Sequence, residues 1–237
     1  MIPLEELKHR IEFIRKQITE LAIKIGRNPD DITVVAVSKT HPPELLLSAV
    51  EAGITIFGEN YAQEMKTKYD FIKKSTSIPI KWHFIGHLQT NKVKYIAPFV
   101  ELIHSVDTFH LAQEISRQGG KLDRVINVLL QVNTSGEMSK FGCSPEDILK
   151  LCEDSVKLKN IRIIGLMTIG SFSEDETIYR REFKLLAEIR KKLIEKFPEI
   201  DWKHLSMGMS HDYLAAIEEG ATIVRIGTAL FGERQYS

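Results

Sequence analysis

Eight short apolar runs, separated by stretches of helical texture, constrain this chain more than any other feature. They are ITVVAVSK (32–39), ITIFGE (54–59), KWHFIG (81–86), ELIHSV (101–106), VINVLLQVN (125–133), IRIIGLMTIG (161–170), WKHLSMGM (202–209) and ATIVRIG (221–227). Helical segments fall at 43–52, 60–74, 108–118, 145–155, 175–196 and 211–219. Strands that alternate with helices imply βαβ units and a parallel sheet. Eight repeats favour an α/β fold of the closed (β/α)8 TIM type, with an open doubly wound sheet as the alternative.

A separate amphipathic helix precedes the first run. Leu4, Leu7, Ile11, Ile14, Ile18, Leu21 and Ile25 recur at three- and four-residue steps and share one face. Pro3 suits its first turn and Gly26 its end. The stripe is too short and isolated to favour a coiled coil over packing on the domain. The expectation is therefore one domain over residues 1–237, with 1–27 as an additional N-terminal helix laid on the barrel. The 237 residues fit one barrel. No linker or composition break divides them, and the lysine-rich stretch 66–81 reads as a solvated helix and loop.

The 32 basic and 32 acidic residues cancel, which argues against tracking a nucleic acid or an anionic membrane through the overall field. No apolar stretch approaches the ~20 residues that span a bilayer. The N-terminus MIPLEELKHR is charged where a signal peptide would be apolar. Cys143 and Cys152 have neither zinc-type nor CxxC spacing, and read as reduced, inert thiols of a cytoplasmic protein.

In a barrel, chemistry gathers at the C-terminal ends of the strands. Those ends read Ser38-Lys39-Thr40, Gly58-Glu59-Asn60, Gly86-His87, Gln131 to Asn133, Met167-Thr168, Met207 to Ser210, and Arg225 to Thr228. Lys39 follows apolar and small residues. There a lysine loses solvation when charged, and its free amine can add to an aldehyde as a Schiff base; the plain alternative is a solvated surface lysine. Barrels often hold phosphate after strands seven and eight. Gly208 with Ser210, and Gly227 with Thr228, pair a glycine with a hydroxyl in those two places. Gly208 would allow close backbone approach, and Ser210 would cap the following helix. The alternative is ordinary caps and strand-end glycines. Arg225 lies inside the eighth run, where a cation needs a partner. A carboxylate or the ring nitrogen of a bound pyridine would serve.

His83 and His87 are four apart but sit on a strand and its exit, which disfavours a helical zinc pair, so no metal is expected. His83 can still line the pocket, whereas His104, His204 and His211 read as structural or solvent-facing. No Ser/His/Asp triad, Walker loop or dinucleotide fingerprint is present.

The runs AVSKTHPP, FGENYAQE, WHFIGHLQTNK, QVNTSGEMSKFG, GLMTIG and LSMGMSHDYLAAIEEGATIVRIGTALFG together resemble the pyridoxal phosphate homeostasis protein family, itself similar to the N-terminal barrel of alanine racemase. The resemblance covers about residues 32–232. It implies a fold-type III barrel that carries pyridoxal 5'-phosphate as a Schiff base on Lys39. It further implies phosphate-binding loops at Met209, Ser210, Gly227 and Thr228. Arg225 would face the pyridine nitrogen, with Asn60 and His83 lining the cofactor. The implied role is a non-catalytic carrier in vitamin B6 and amino-acid balance, with pyridoxal-phosphate-dependent apoenzymes as acceptors.

Racemisation needs acid–base groups on both faces of a carbanion. In alanine racemases the second comes from a further β-domain that this chain, ending at Ser237, is expected to lack. The carrier reading therefore precedes a weak racemase with His83 or Tyr61 as second base. It also precedes a cofactor-free aldolase using Lys39. Without a dimerisation domain, a monomer is expected.

Overall fold

Each apolar run forms a strand, in order: β1 (Thr33–Val37), β2 (Ile56–Glu59), β3 (Lys81–Phe84), β4 (Leu102–Val106), β5 (Ile126–Gln131), β6 (Ile161–Met167), β7 (His204–Ser206) and β8 (Ile223–Ile226). In the computed structural model, which describes residues 2–233, they close into one barrel in chain order. Closure is parallel, with Thr33 to Ala36 of β1 facing Ile223 to Ile226 of β8. Closed pairing leaves no sheet edge, so every strand is bonded on both sides.

The helices are α1 (Leu4–Lys24), α2 (Pro43–Glu51), α3 (Ala62–Ser75), α4 (Val93–Ile96), α5 (Phe109–Lys121), α6 (Ile148–Ser155), α7 (Glu176–Lys196), α8 (Tyr213–Glu218) and α9 (Thr228–Phe231). The short turn of helix at 90–96 and α9 were not anticipated. Both are too brief to show a 3.6-residue apolar period.

Two cores follow from strands that are apolar on both faces. The larger lies between strands and helices and includes Phe57, Trp82, Phe84 and Phe183. A smaller one fills the barrel interior with Val35, Leu102, Leu129, Met167 and Ile223. Polar side chains are stacked beside this inner core, among them His83, His104, Ser206 and Arg225.

The α1 stripe buries Leu7, Ile11, Ile14, Ile18 and Ala22. The helix stops where Arg27 N–H reaches the Ala22 carbonyl (2.8 Å) and Gly26 N–H that of Ile23 (3.1 Å), a two-bond cap. From this position α1 and Arg27 just beyond it grip the final helices. Arg10 Nη1 donates to the Leu230 carbonyl (3.1 Å), Arg27 to those of Ile217 (2.7 Å) and Ala221 (2.8 Å), and Tyr213 Oη to Gln17 (2.5 Å). Among the described residues, no helix is long and apolar enough to cross a membrane.

Candidate functional site

A cavity of about 240 Å³ opens at the C-terminal ends of the strands. Lys39, Asn60, Met209, Ser210, Arg225, Gly227 and Thr228 all border it, with Val37, Ile85 and Ile169 as apolar wall. Phe172 and His211 stand at the rim, ring centroids 5.0 Å apart. Residues far apart in sequence meet here because parallel βα units place every strand exit at one end.

Lys39 occupies a tight turn. His41 N–H closes it on the Ser38 carbonyl at 3.1 Å. Thr40, the next residue, has φ +67°. That value suits position i+2 of a type II turn, where glycine is favoured. A β-branched residue there is strained by about 1–3 kcal/mol and persists only where its surroundings hold it.

Those surroundings are a buried ionic cluster. Lys68 Nζ donates to the Ser38 carbonyl (2.6 Å), to Glu59 Oε1 (2.7 Å) and to Glu64 Oε1 (2.6 Å). Thr40 N–H donates to Glu64 Oε1 (2.6 Å), and Ser38 Oγ to Glu59 Oε1 (2.6 Å). Burial pushes the Glu59 carboxyl upward while the Lys68 charge opposes it. This corrects the reading of 66–81 as wholly solvated, since Lys68 is only 1% exposed. A signal was available, because Met65, Lys68 and Ile72 fall on one helical face, so that Lys68 interrupts an apolar stripe.

Arg225 closes the floor. It donates to Ser206 Oγ (2.7 Å) and to the Thr168 carbonyl (2.9 Å). Burial lowers its pKa to about 10, so it remains charged at neutral pH. Neither bond is to a carboxylate. The chain of contacts continues inward, with His104 Nδ1 2.9 Å from Ser206 Oγ and His104 Nε2 3.0 Å from His83 Nδ1. Arginine only donates. With the serine proton directed to His104 Nδ1, and His104 Nε2–H to His83 Nδ1, each contact has one donor and one acceptor. Both rings are then neutral, in keeping with burial that lowers His83 to about 3 and His104 well below 6.5. His83 thus sits beneath the cleft rather than in its wall. His104, read from the sequence as structural or solvent-facing, is buried and structural, whereas Ser206, which links it to Arg225, was not singled out.

Ser210 departs from its expected role as a helix cap. Its Oγ accepts from the N–H groups of Gly227 and Ala229, both at 3.2 Å. Asp212 precedes α8 instead, accepting from Met209 N–H at 2.5 Å. A hydroxyl that accepts twice keeps its own proton for a third partner. Gly208 has φ +90°, and a Cβ there would lie 2.6 Å from Ala216 Cβ. The close approach read at Gly208 is therefore that of α8. Asn60 is pressed from behind by Gly86, where a Cβ would stand 2.5 Å from the Asn60 carbonyl oxygen. Asn60 Oδ1 is buried without a hydrogen-bond partner among the described residues. Tyr61, by contrast, is exposed and borders the adjoining groove. Cys143 and Cys152 are unpaired, and burial pushes both thiols up to about 12.

Residues 2–235 match the family model of the alanine racemase N-terminal domain. The pyridoxal phosphate homeostasis protein of Aquifex aeolicus is 43% identical over 227 residues, covering 96% of this chain and 98% of that protein. The chain belongs to the pyridoxal phosphate homeostasis protein family. Solved structures agree with this membership. PipY of Synechococcus elongatus PCC7942, solved with PLP bound, matches with a TM-score of 0.84 at 31% identity, over 95% of this chain and 100% of that one. An unknown protein from Bifidobacterium adolescentis matches with a TM-score of 0.89 at 34% identity, over 98% of each chain. In this member of the family, the cleft joins an amine, a cation, a hydroxyl with backbone N–H groups, and an unpartnered carbonyl acceptor.

Proposed function

We propose that this protein binds pyridoxal 5'-phosphate in the cleft and holds it covalently through Lys39. It would act as a carrier in vitamin B6 and amino-acid balance, not as an enzyme with turnover. The observation that carries the reading is the convergence of Lys39, Arg225, Ser210 and Asn60 on one cavity of about 240 Å³. The PLP-bound relative adds support.

The residues present fit the cofactor. Its phosphate needs donors, and the Ser210 hydroxyl, oriented by the N–H groups of Gly227 and Ala229 that it accepts, turns its own proton to the cleft as one, beside Met209 and Thr228. The buried Asn60 Oδ1 lacks a donor, which a phenolic hydroxyl provides. Arg225 stays charged and offers hydrogen to a ring nitrogen without surrendering its proton, which leaves that nitrogen unprotonated. Lys39 Nζ supplies the nucleophile, and the turn beneath it sets its direction. When bound, pyridoxal phosphate contributes an electrophilic carbonyl and a ring that accepts electrons. His83 acts at one remove, through His104 and Ser206.

The two side chains offered as a second base do not meet that need. Tyr61 is 58% exposed on the neighbouring groove, and His83 is buried and held neutral. This supports carriage over racemisation. Apoenzymes that lack the cofactor are the acceptors in this reading.

The test is borohydride trapping followed by peptide mapping. Incubation with pyridoxal phosphate, then reduction, is expected to leave a pyridoxyl group on Lys39, and Lys39→Ala should lose it while keeping the wild-type circular dichroism. An unlabelled Lys39, or equal labelling in the variant, overturns the assignment. Chiral chromatography of alanine incubated with the loaded protein then separates carrier from racemase.

A further inference from the structure

We infer that Lys68 and Glu64 are positioning residues for Lys39, a buried brace on α3 that holds the strained turn from which its side chain departs. The inference rests on the reading of Lys39 as the attachment point.

The brace touches the backbone on both sides of Lys39. Before it, the Ser38 carbonyl receives Lys68 Nζ (2.6 Å); after it, Thr40 N–H is received by Glu64 Oε1 (2.6 Å). Glu64 and Lys68 are themselves joined at 2.6 Å, one helical turn apart on α3. The two halves of the turn are thus tied to one rigid element through one ion pair. All three donors of the Lys68 ammonium are used, the third on Glu59 Oε1 at 2.7 Å. Lysine is rarely buried so completely unless paired. This one lies 1% exposed behind the turn and does not border the cleft.

The conformation held is one that the residue resists. Thr40 has φ +67°, which β-branched side chains seldom adopt. Glycine would adopt this φ without strain, whereas threonine needs outside bonds to stay there. Those bonds come from Glu64 and Lys68. Loss of the brace lets Thr40 relax to negative φ, which swings the peptide beside Lys39 and carries its amine away from the Arg225 and Ser210 walls.

The test uses the full chain without cofactor and then with added pyridoxal phosphate. Glu64→Ala removes the acceptor for Thr40 N–H but leaves the Lys68–Glu59 pair, and should preserve the fold. Lys68→Met removes both ties and is the harsher change. Amide exchange at Thr40, read by NMR, is expected to quicken about tenfold or more in Glu64→Ala, the equivalent of one lost charge-assisted hydrogen bond. Borohydride-trapped labelling of Lys39 should slow by a similar factor. Adding Thr40→Gly, which removes the strain, should restore labelling in both variants but not the lost exchange protection. A Lys68 with only a stabilising role would show no such rescue.

Unchanged exchange and labelling in Glu64→Ala, or slow labelling that Thr40→Gly fails to rescue, overturns the brace. If Lys39 of the wild-type protein is never labelled, the cofactor reading fails, and Thr40 exchange still decides whether the brace exists.

Discussion

Charge and burial conflict most sharply at single residues. His83 and His104 are neutral because the barrel interior cannot solvate an imidazolium. Their folded pKa values lie below the unfolded value, near 6.5. Between pH 6.5 and about 3 the unfolded chain therefore binds protons that the folded chain refuses, and stability falls as pH falls. The expected slope is about 1.4 kcal/mol per pH unit for each such histidine. Urea denaturation at pH 7 and pH 5 should show the loss, and His83→Gln should reduce it by about half, leaving the His104 share. A pH-independent midpoint would mean that the rings are already protonated in the fold. Lys39 and Arg225 were legible as residues because a cation at a strand's end, or within a strand, breaks an apolar pattern. The pairing of Ser206 with His104 was not. A serine or histidine on a strand has no meaning until its neighbour across the barrel is known.

At the scale of elements, α1 is more than a cover. Its face buries Leu7 without exposure, and Arg10 on it, with Arg27 just past its end, grips the ends of α9 and α8, which flank the Ser210 and Gly227 loops. Leu7→Ala should cost about 2–5 kcal/mol through lost transfer and a residual cavity. Chemical denaturation measures this, with an unchanged slope if the transition remains cooperative. A loss below 0.5 kcal/mol would place α1 outside the folding core. The stripe and its end were readable from periodicity and Gly26, since both are local. The brace on α3 was half readable. Its interruption of an apolar face stood in the sequence, but its partner Ser38 lies thirty residues away along the chain.

For the whole molecule, barrel closure couples binding to folding. The cleft draws on β1, β2, β7 and β8 together, so a ligand that occupies it binds only the closed barrel. By mass action, pyridoxal phosphate at 100 times its Kd should add about 2.7 kcal/mol to stability. Differential scanning calorimetry should show the midpoint rise with cofactor concentration, and Lys39→Ala should lose most of the rise. Equal rises in both proteins would put the stabilising contacts elsewhere.

The order of strands and helices, the parallel barrel, the N-terminal helix and most of the cleft were determined by the sequence itself. Apolar periodicity, glycine placement and strand-end polarity are local, and a closed parallel barrel brings all its strand exits to one end. What only the tertiary structure decided was the partners of buried polar groups. Ser210 turned to Gly227 and Ala229, Arg225 to Ser206 and Thr168, and Lys68 to the turn at Lys39. A buried donor must find an acceptor, but which one depends on the registers and distances that exist only once the barrel has closed.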